Sequence, residues 1–120
     1  MNGKSGFVYI VRNAEGLYKI GRTKNVERRI RSLQIASSSK LVLVHAIKAD
    51  NARDLERTLH DGQSDRKVSG EWFRIPDWEI EVIKTIGYMP ASYDEEAWAE
   101  NAYDLWVQNL NRLLILWARP

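Results

Sequence analysis

The apolar residues of this chain change rhythm along its length. Phe7-Val8-Tyr9-Ile10-Val11 is an uninterrupted run rich in β-formers, apolar on both faces, which predicts a central strand. Asn13-Ala14-Glu15-Gly16 reads as a turn and Leu17-Tyr18-Lys19-Ile20-Gly21 as a second strand, together a β-hairpin. The spacing then lengthens to the helical period. Val26, Ile30 and Leu33 recur at i, i+4 and i+7 behind Thr23 and Asn25, either of which can cap a helix. Arg29 falls at the border of that stripe, while Arg28 and Arg31 point well away from it. Arg29 alone is therefore expected to reach over the sheet.

Leu41-Val42-Leu43-Val44 and Ile47 predict a third strand over 40–48, buried on both faces. Asp50 or Asn51 can cap a helix over about 52–63, with Ala52, Leu55 and Leu59 as its core stripe. Glu56 lies beside the stripe, and His60 is one turn further on the same side. Residues 68–75 predict an aromatic turn or short strand, and Pro76 suits the first turn of a helix to about Ile86. Beyond Pro90 the chain reads as helix from Asp94, with Trp98, Leu105, Trp106, Leu110, Leu113 and Trp117 near one side. The order predicts an α+β fold, a small three-stranded antiparallel sheet flanked by helices with a C-terminal helical extension. The expected division is a domain over 1–88 and a helical tail over 89–120. That tail either packs back on the domain or forms a homodimer interface.

Charge changes this picture. The whole chain, 120 residues, carries 18 Lys+Arg and 16 Asp+Glu. Residues 1–40 hold nine basic and two acidic side chains, a balance of +7; the next forty balance at −2 and the last forty at −3. A basic first third points to a polyanion partner. Lys4, Arg12, Arg22, Lys24, Arg28 and Arg31 form either a phosphate-tracking surface or a solvated charged face. The chain has no cysteine, which removes disulfides, zinc-thiolate sites and a Cys nucleophile, and fits a reducing, cytoplasmic setting. No apolar run is long enough to span a bilayer or act as a signal peptide, so no membrane association is expected.

Several of these residues belong together in a further way. Phe7-Val8-Tyr9, Lys19-Ile20-Gly21, Arg29, Leu55-Glu56-x-x-Leu59-His60 and Gly70-Glu71-Trp72-Phe73 occur in that order. The set resembles the GIY-YIG nuclease superfamily, most of all the phage and bacterial branch whose second signature reads Lys-Ile-Gly. The resemblance covers roughly residues 6–86. It implies a GIY-YIG-type endonuclease that hydrolyses DNA phosphodiester bonds with one divalent metal, Mg²⁺ or Mn²⁺. A phosphodiester needs an activated water, positive charge for the developing anion and help for the leaving oxygen. A single hard cation needs only one or two carboxylates, so few protein groups suffice.

The resemblance assigns these roles. Tyr9 matches the first signature tyrosine, a base or water-orienting group. A phenol is a weak acid and needs nearby cations or a metal-bound water for that work. Arg29 matches the catalytic arginine, whose planar fork suits a phosphate oxygen pair. Gly21 matches the signature glycine, where backbone must approach closely. Glu56 matches the metal-binding glutamate, with a solvent-facing helical glutamate as the plain alternative. His60, at i+4 from Glu56, either holds a water or phosphate or serves a structural role. Glu71 is either a second metal ligand or a carboxylate that pins the Gly70 turn.

Lys19 departs from the common pattern, which has a second tyrosine there. Tyr18 cannot substitute, since neighbouring strand residues face opposite ways. Leu33 stands where many relatives carry a histidine. A nucleic-acid-binding module with weak or lost catalysis is therefore the alternative function, and a regulatory protein acting through the tail is a third. DNA is the expected partner, with a targeting protein as a further one.

Overall fold

The computed structural model describes residues 4–91. The helical reading of residues 93–120, and the packing or dimer role given to it, lie outside the described residues. The α+β class is as expected, but the sheet has six strands rather than three.

Its centre is the predicted hairpin. β1 (Gly6–Arg12) pairs antiparallel with β2 (Tyr18–Thr23), Tyr9 opposite Gly21 and Val11 opposite Lys19. Asn13 builds the turn, its side-chain oxygen accepting from the backbone N–H of Glu15 at 3.0 Å and of Leu17 at 2.9 Å. The other side of β1 takes β3 (Val42–Ala49), also antiparallel, with an irregularity in register between Ile10 and Val11. β1 is thus the central strand its apolar run predicts, and Val8 through Val11 are all buried.

Three short strands complete the sheet. β4 (Lys67–Ser69) and β5 (Trp72–Phe73) form a small hairpin, and β5 extends the β2 edge by pairing Phe73 with Tyr18 and Trp72 with Lys19. β6 (Tyr88–Met89) runs parallel to β3, giving the order β4-β5-β2-β1-β3-β6. Strands of two or three residues are too short to show an alternation, and pairing alone makes them.

Three helices flank the sheet: α1 (Val26–Ala36), α2 (Ala52–Gly62) and α3 (Asp77–Ile83). Val8, Ile10, Ile20, Ile47 and Phe73 pack with Leu55 of α2 and Ile80 and Ile83 of α3 into one core. Alternation sends Tyr9, Lys19 and Gly21 to the other face. α1 lies on that side. None of its residues is fully buried; Val26, Ile30 and Leu33, its expected stripe, are half-buried.

β3 departs from expectation. A strand buried on both faces was predicted, yet Val42 and Leu43 are exposed and Val44 is half-buried. The reason is its outer neighbour: β6 accompanies only Lys48 and Ala49, so the first half of β3 has one open edge. α3 is also shorter than expected, ending at Ile83, and Pro76 caps it rather than entering its first turn. Among the described residues no helix is long and apolar enough to cross a membrane.

Candidate functional site

The site grows from the face of the sheet that α1 overlies. Tyr9 sits at the middle of the central strand with 1% of its surface exposed. Its ring lies across Gly21, its partner in the ladder. A Cβ on Gly21 would stand 2.3 Å from the Tyr9 hydroxyl and 2.4 Å from Cζ, distances no carbon contact tolerates. The glycine is thus required by where the phenol lies.

β2 passes almost directly into α1, and that short connection positions the arginine. Thr23 Oγ1 accepts from the Asn25 N–H, and the Asn25 side chain accepts from the Arg28 N–H at 3.0 Å, capping the helix. One turn in, Arg29 donates from Nε to the Tyr9 hydroxyl at 3.3 Å. That hydrogen bond, together with the charge interaction with Tyr9, raises the Arg29 pKa above its ordinary value. The expectation that Arg29 alone reaches the sheet agrees with this geometry: Arg31 turns to Glu27 at 3.7 Å, and Arg28 lies with Lys24, Asn25 and Ser32 around a surface cleft of about 350 Å³ that Arg29 also borders.

Lys19 is two residues from Gly21 on the same strand, and therefore on the same face. It hydrogen-bonds and ion-pairs with Glu71, and its Nζ stands 6.0 Å from the centre of the Trp72 ring. Glu71 arrives on the β4–β5 turn, directly after Gly70, whose φ of +54° is a left-handed conformation that suits glycine. The Lys19 contact, with smaller help from the charges of His60 and Arg29, lowers the Glu71 carboxyl below its ordinary range. Four segments thus converge on one place: a phenol, a guanidinium, an ammonium and a carboxylate.

The other residues singled out from the sequence are placed differently. Glu56 is half-buried on α2, the helix that covers the opposite face, and among the described residues it makes no ion pair or hydrogen bond. His60 does not turn to Glu56. Its Nε2 lies 2.7 Å from the Ile20 carbonyl oxygen, and its ring meets Phe73 edge-on at 5.1 Å. A carbonyl only accepts, so Nε2 carries the proton. Beyond Lys19, β5 no longer pairs with β2, and His60 satisfies the strand edge there. Tyr18 is in the core on the far side, as alternation requires. Arg22 and Lys24 stand at the end of β2, bordering a cleft of about 320 Å³.

The Lys19–Glu71 contact is the part of this arrangement that spacing along the chain shows least. Its signal in the sequence is the Gly-Glu-Trp-Phe block, where glycine permits the turn and Trp72 registers the turn against Lys19. The carboxylate is 61% exposed, and a hard divalent cation that keeps several waters needs little more than one such group. Among the described residues no three His, Asp or Glu side chains cluster as a ready-made metal cage.

These observations define an α+β domain whose sheet face carries a tyrosine–arginine pair beside a lysine–glutamate pair. Residues 6–89 match the T5orf172 domain, and the chain belongs to that nuclease-related family. It is also similar to a protein of Invertebrate iridescent virus 6 that carries the name KilA-N domain-containing protein 315L, with 34% identity over 87 residues. That match takes in 67% of this chain and 36% of the viral protein, so the chain spans about a third of the length of that relative. No solved structure matches the chain significantly.

Proposed function

We propose that the chain is a GIY-YIG-type endonuclease that hydrolyses DNA phosphodiesters, with Tyr9, Lys19, Arg29 and Glu71 as its working groups. The observation that carries this reading is the Arg29 Nε–Tyr9 hydroxyl bond over Gly21, with the Lys19–Glu71 pair beside it. A buried tyrosine hydroxyl needs a hydrogen-bond partner, and here that partner is a guanidinium that borders an open basic cleft. Membership of a nuclease-related family and similarity to a protein named for a KilA-N domain support a DNA-binding or nuclease-like class.

The residues divide the work as follows. Arg29 spends Nε on Tyr9, which leaves its two Nη groups for phosphate oxygens. Because Tyr9 accepts from Arg29, its own proton is left to donate, and the hydroxyl can orient a water. Lys19 adds a second cation to the same face. Glu71 would hold Mg²⁺ or Mn²⁺, which supplies Lewis-acid stabilisation of the phosphate when bound. His60 supports the edge of β2 that carries Lys19 and Gly21 and is a positioning residue.

Plasmid nicking with Mg²⁺ or Mn²⁺ tests this reading, with Arg29→Ala, Glu71→Gln and Glu56→Ala run beside the wild type. Cleavage that needs the metal and is lost in Arg29→Ala and Glu71→Gln, while Glu56→Ala retains it, is the expected result. Loss in Glu56→Ala with full activity in Glu71→Gln would return the metal to α2. A wild type that binds DNA and never nicks it would leave the DNA-binding module as the function.

A further inference from the structure

Beyond the Arg29 cleft lies a second basic concavity, on the other side of the corner where β2 becomes α1. Thr23 and Lys24 border both. Arg22 follows Gly21 in the strand, so alternation turns it away from Tyr9 and toward the α2 side. There it meets Arg53, on the first turn of α2, and Lys4. Neither cleft is lined by an acidic residue.

The pairing pattern sharpens this. Among the described residues Arg22, Lys24, Arg28 and Arg53 form no ion pair; Arg12, Lys40, Lys48, Lys67 and Arg74 form none either, and what sets the first group apart is that it gathers around two adjoining clefts. Asp54, the acid next to Arg53, is already engaged by Asn51 at 2.7 Å and Arg57 at 3.3 Å. Cations without an ion pair among the described residues therefore run from Arg29, held by Tyr9, through Arg28 and Lys24 to Arg22 and Arg53. An open cleft edged by flexible charged stems suits a chain of phosphates rather than one small enclosed anion.

We infer that the cleft at Arg22 and Arg53 is a second phosphate-binding site, which takes the DNA strand after it leaves the Arg29 cleft and crosses the Thr23–Lys24 corner. This rests on the proposed DNA-acting function. Arg53 is a nucleic-acid contact that strand and helix patterns alone leave unmarked, because it lies thirty-one residues from Arg22 in the chain. Arg22 and Arg53 hold the strand and take no part at Tyr9.

Fluorescence anisotropy with a short labelled DNA duplex, without divalent metal and between about 50 and 200 mM salt, tests the assignment. Arg53→Ala and Arg22→Ala should each weaken binding several-fold and reduce the slope of log affinity against log salt by about 1. Lys84→Ala, at the C-terminal cap of α3, should change neither. Thermal melts check that the variants are folded. Unchanged affinity and slope in both arginine variants would overturn the inference, even in a protein that nicks plasmid. Arg53-dependent binding by a wild type that never nicks DNA would support it while ending the nuclease reading. Tighter binding to an RNA of the same sequence than to DNA would overturn DNA as the occupant.

Discussion

Gly21 lacks a side chain because the Tyr9 ring fills the space one would take. Gly21→Ala should therefore displace a buried ring in a tightly packed strand pair. The cost expected from overpacking is about 1–3 kcal/mol, measurable by urea unfolding, together with loss of nicking as the Arg29 bond breaks. A Gly21→Ala protein with wild-type stability and activity would contradict the close approach. Glu71 gives a prediction with a sign. Its carboxyl is lowered, chiefly by Lys19, so the stabilisation is present above the ordinary carboxylate range and lost as pH falls through the depressed value. The pair is largely exposed on the glutamate side, so the wild type should exceed Glu71→Gln by at most about 1 kcal/mol at neutral pH. That difference should close in acid melts; a gap that widens below the carboxylate range would reverse the assignment.

The elements decide how far these side chains reach. α1 is fixed by the Asn25 cap at the point where β2 ends, and Arg29 sits one turn beyond. Asn25→Ala should cost roughly 1 kcal/mol, read by thermal denaturation, and lower nicking more than DNA affinity. The cap sets the angle at which Arg29 meets Tyr9, whereas Lys24 and Arg22 lie outside the helix. An equal loss in affinity and nicking would mean that the cap serves binding alone. The hairpin, α1 and α2 were legible because each is long enough to show its period or carries a capping residue. The β4–β5 hairpin was legible only as an aromatic turn or short strand over 68–75, and β6 not at all, because two or three residues carry no period. The outer edge of β3 was misjudged for a related reason: its apolar run reads as fully covered, but the strand that would cover it is only two residues long.

For the molecule as a whole, charge separation survives folding as a surface. The basic first third contributes Arg22, Lys24, Arg28 and Arg29 to two adjoining clefts, and α2 adds Arg53. DNA affinity should fall by orders of magnitude from low to physiological salt if several phosphates are contacted, and a flat dependence would remove the backbone-tracking surface. The family match falls within 6–89, and among the described residues both sheet edges fall there too, with the buried core within 8–83. A chain ending at Ala91 should therefore unfold cooperatively and keep its nicking rate. A marked gain in nicking on truncation would instead identify the acidic, tryptophan-bearing tail as inhibitory.

What the sequence by itself determined is the class of the fold, the central hairpin and the residues Tyr9, Gly21 and Arg29, because alternation and helical period fix which way neighbouring side chains point. What each of Glu56 and Glu71 meets was visible only in the tertiary structure. Both glutamates stand in suggestive motifs. A helix carries Glu56 over the far face of the sheet, while a glycine turn brings Glu71 across fifty-two residues of chain to Lys19. The partner of His60 was likewise visible only in the tertiary structure, since it is a backbone carbonyl on a strand edge that β5 leaves unpaired. Local pattern reports the direction of a side chain, and only the packed chain reports what it meets.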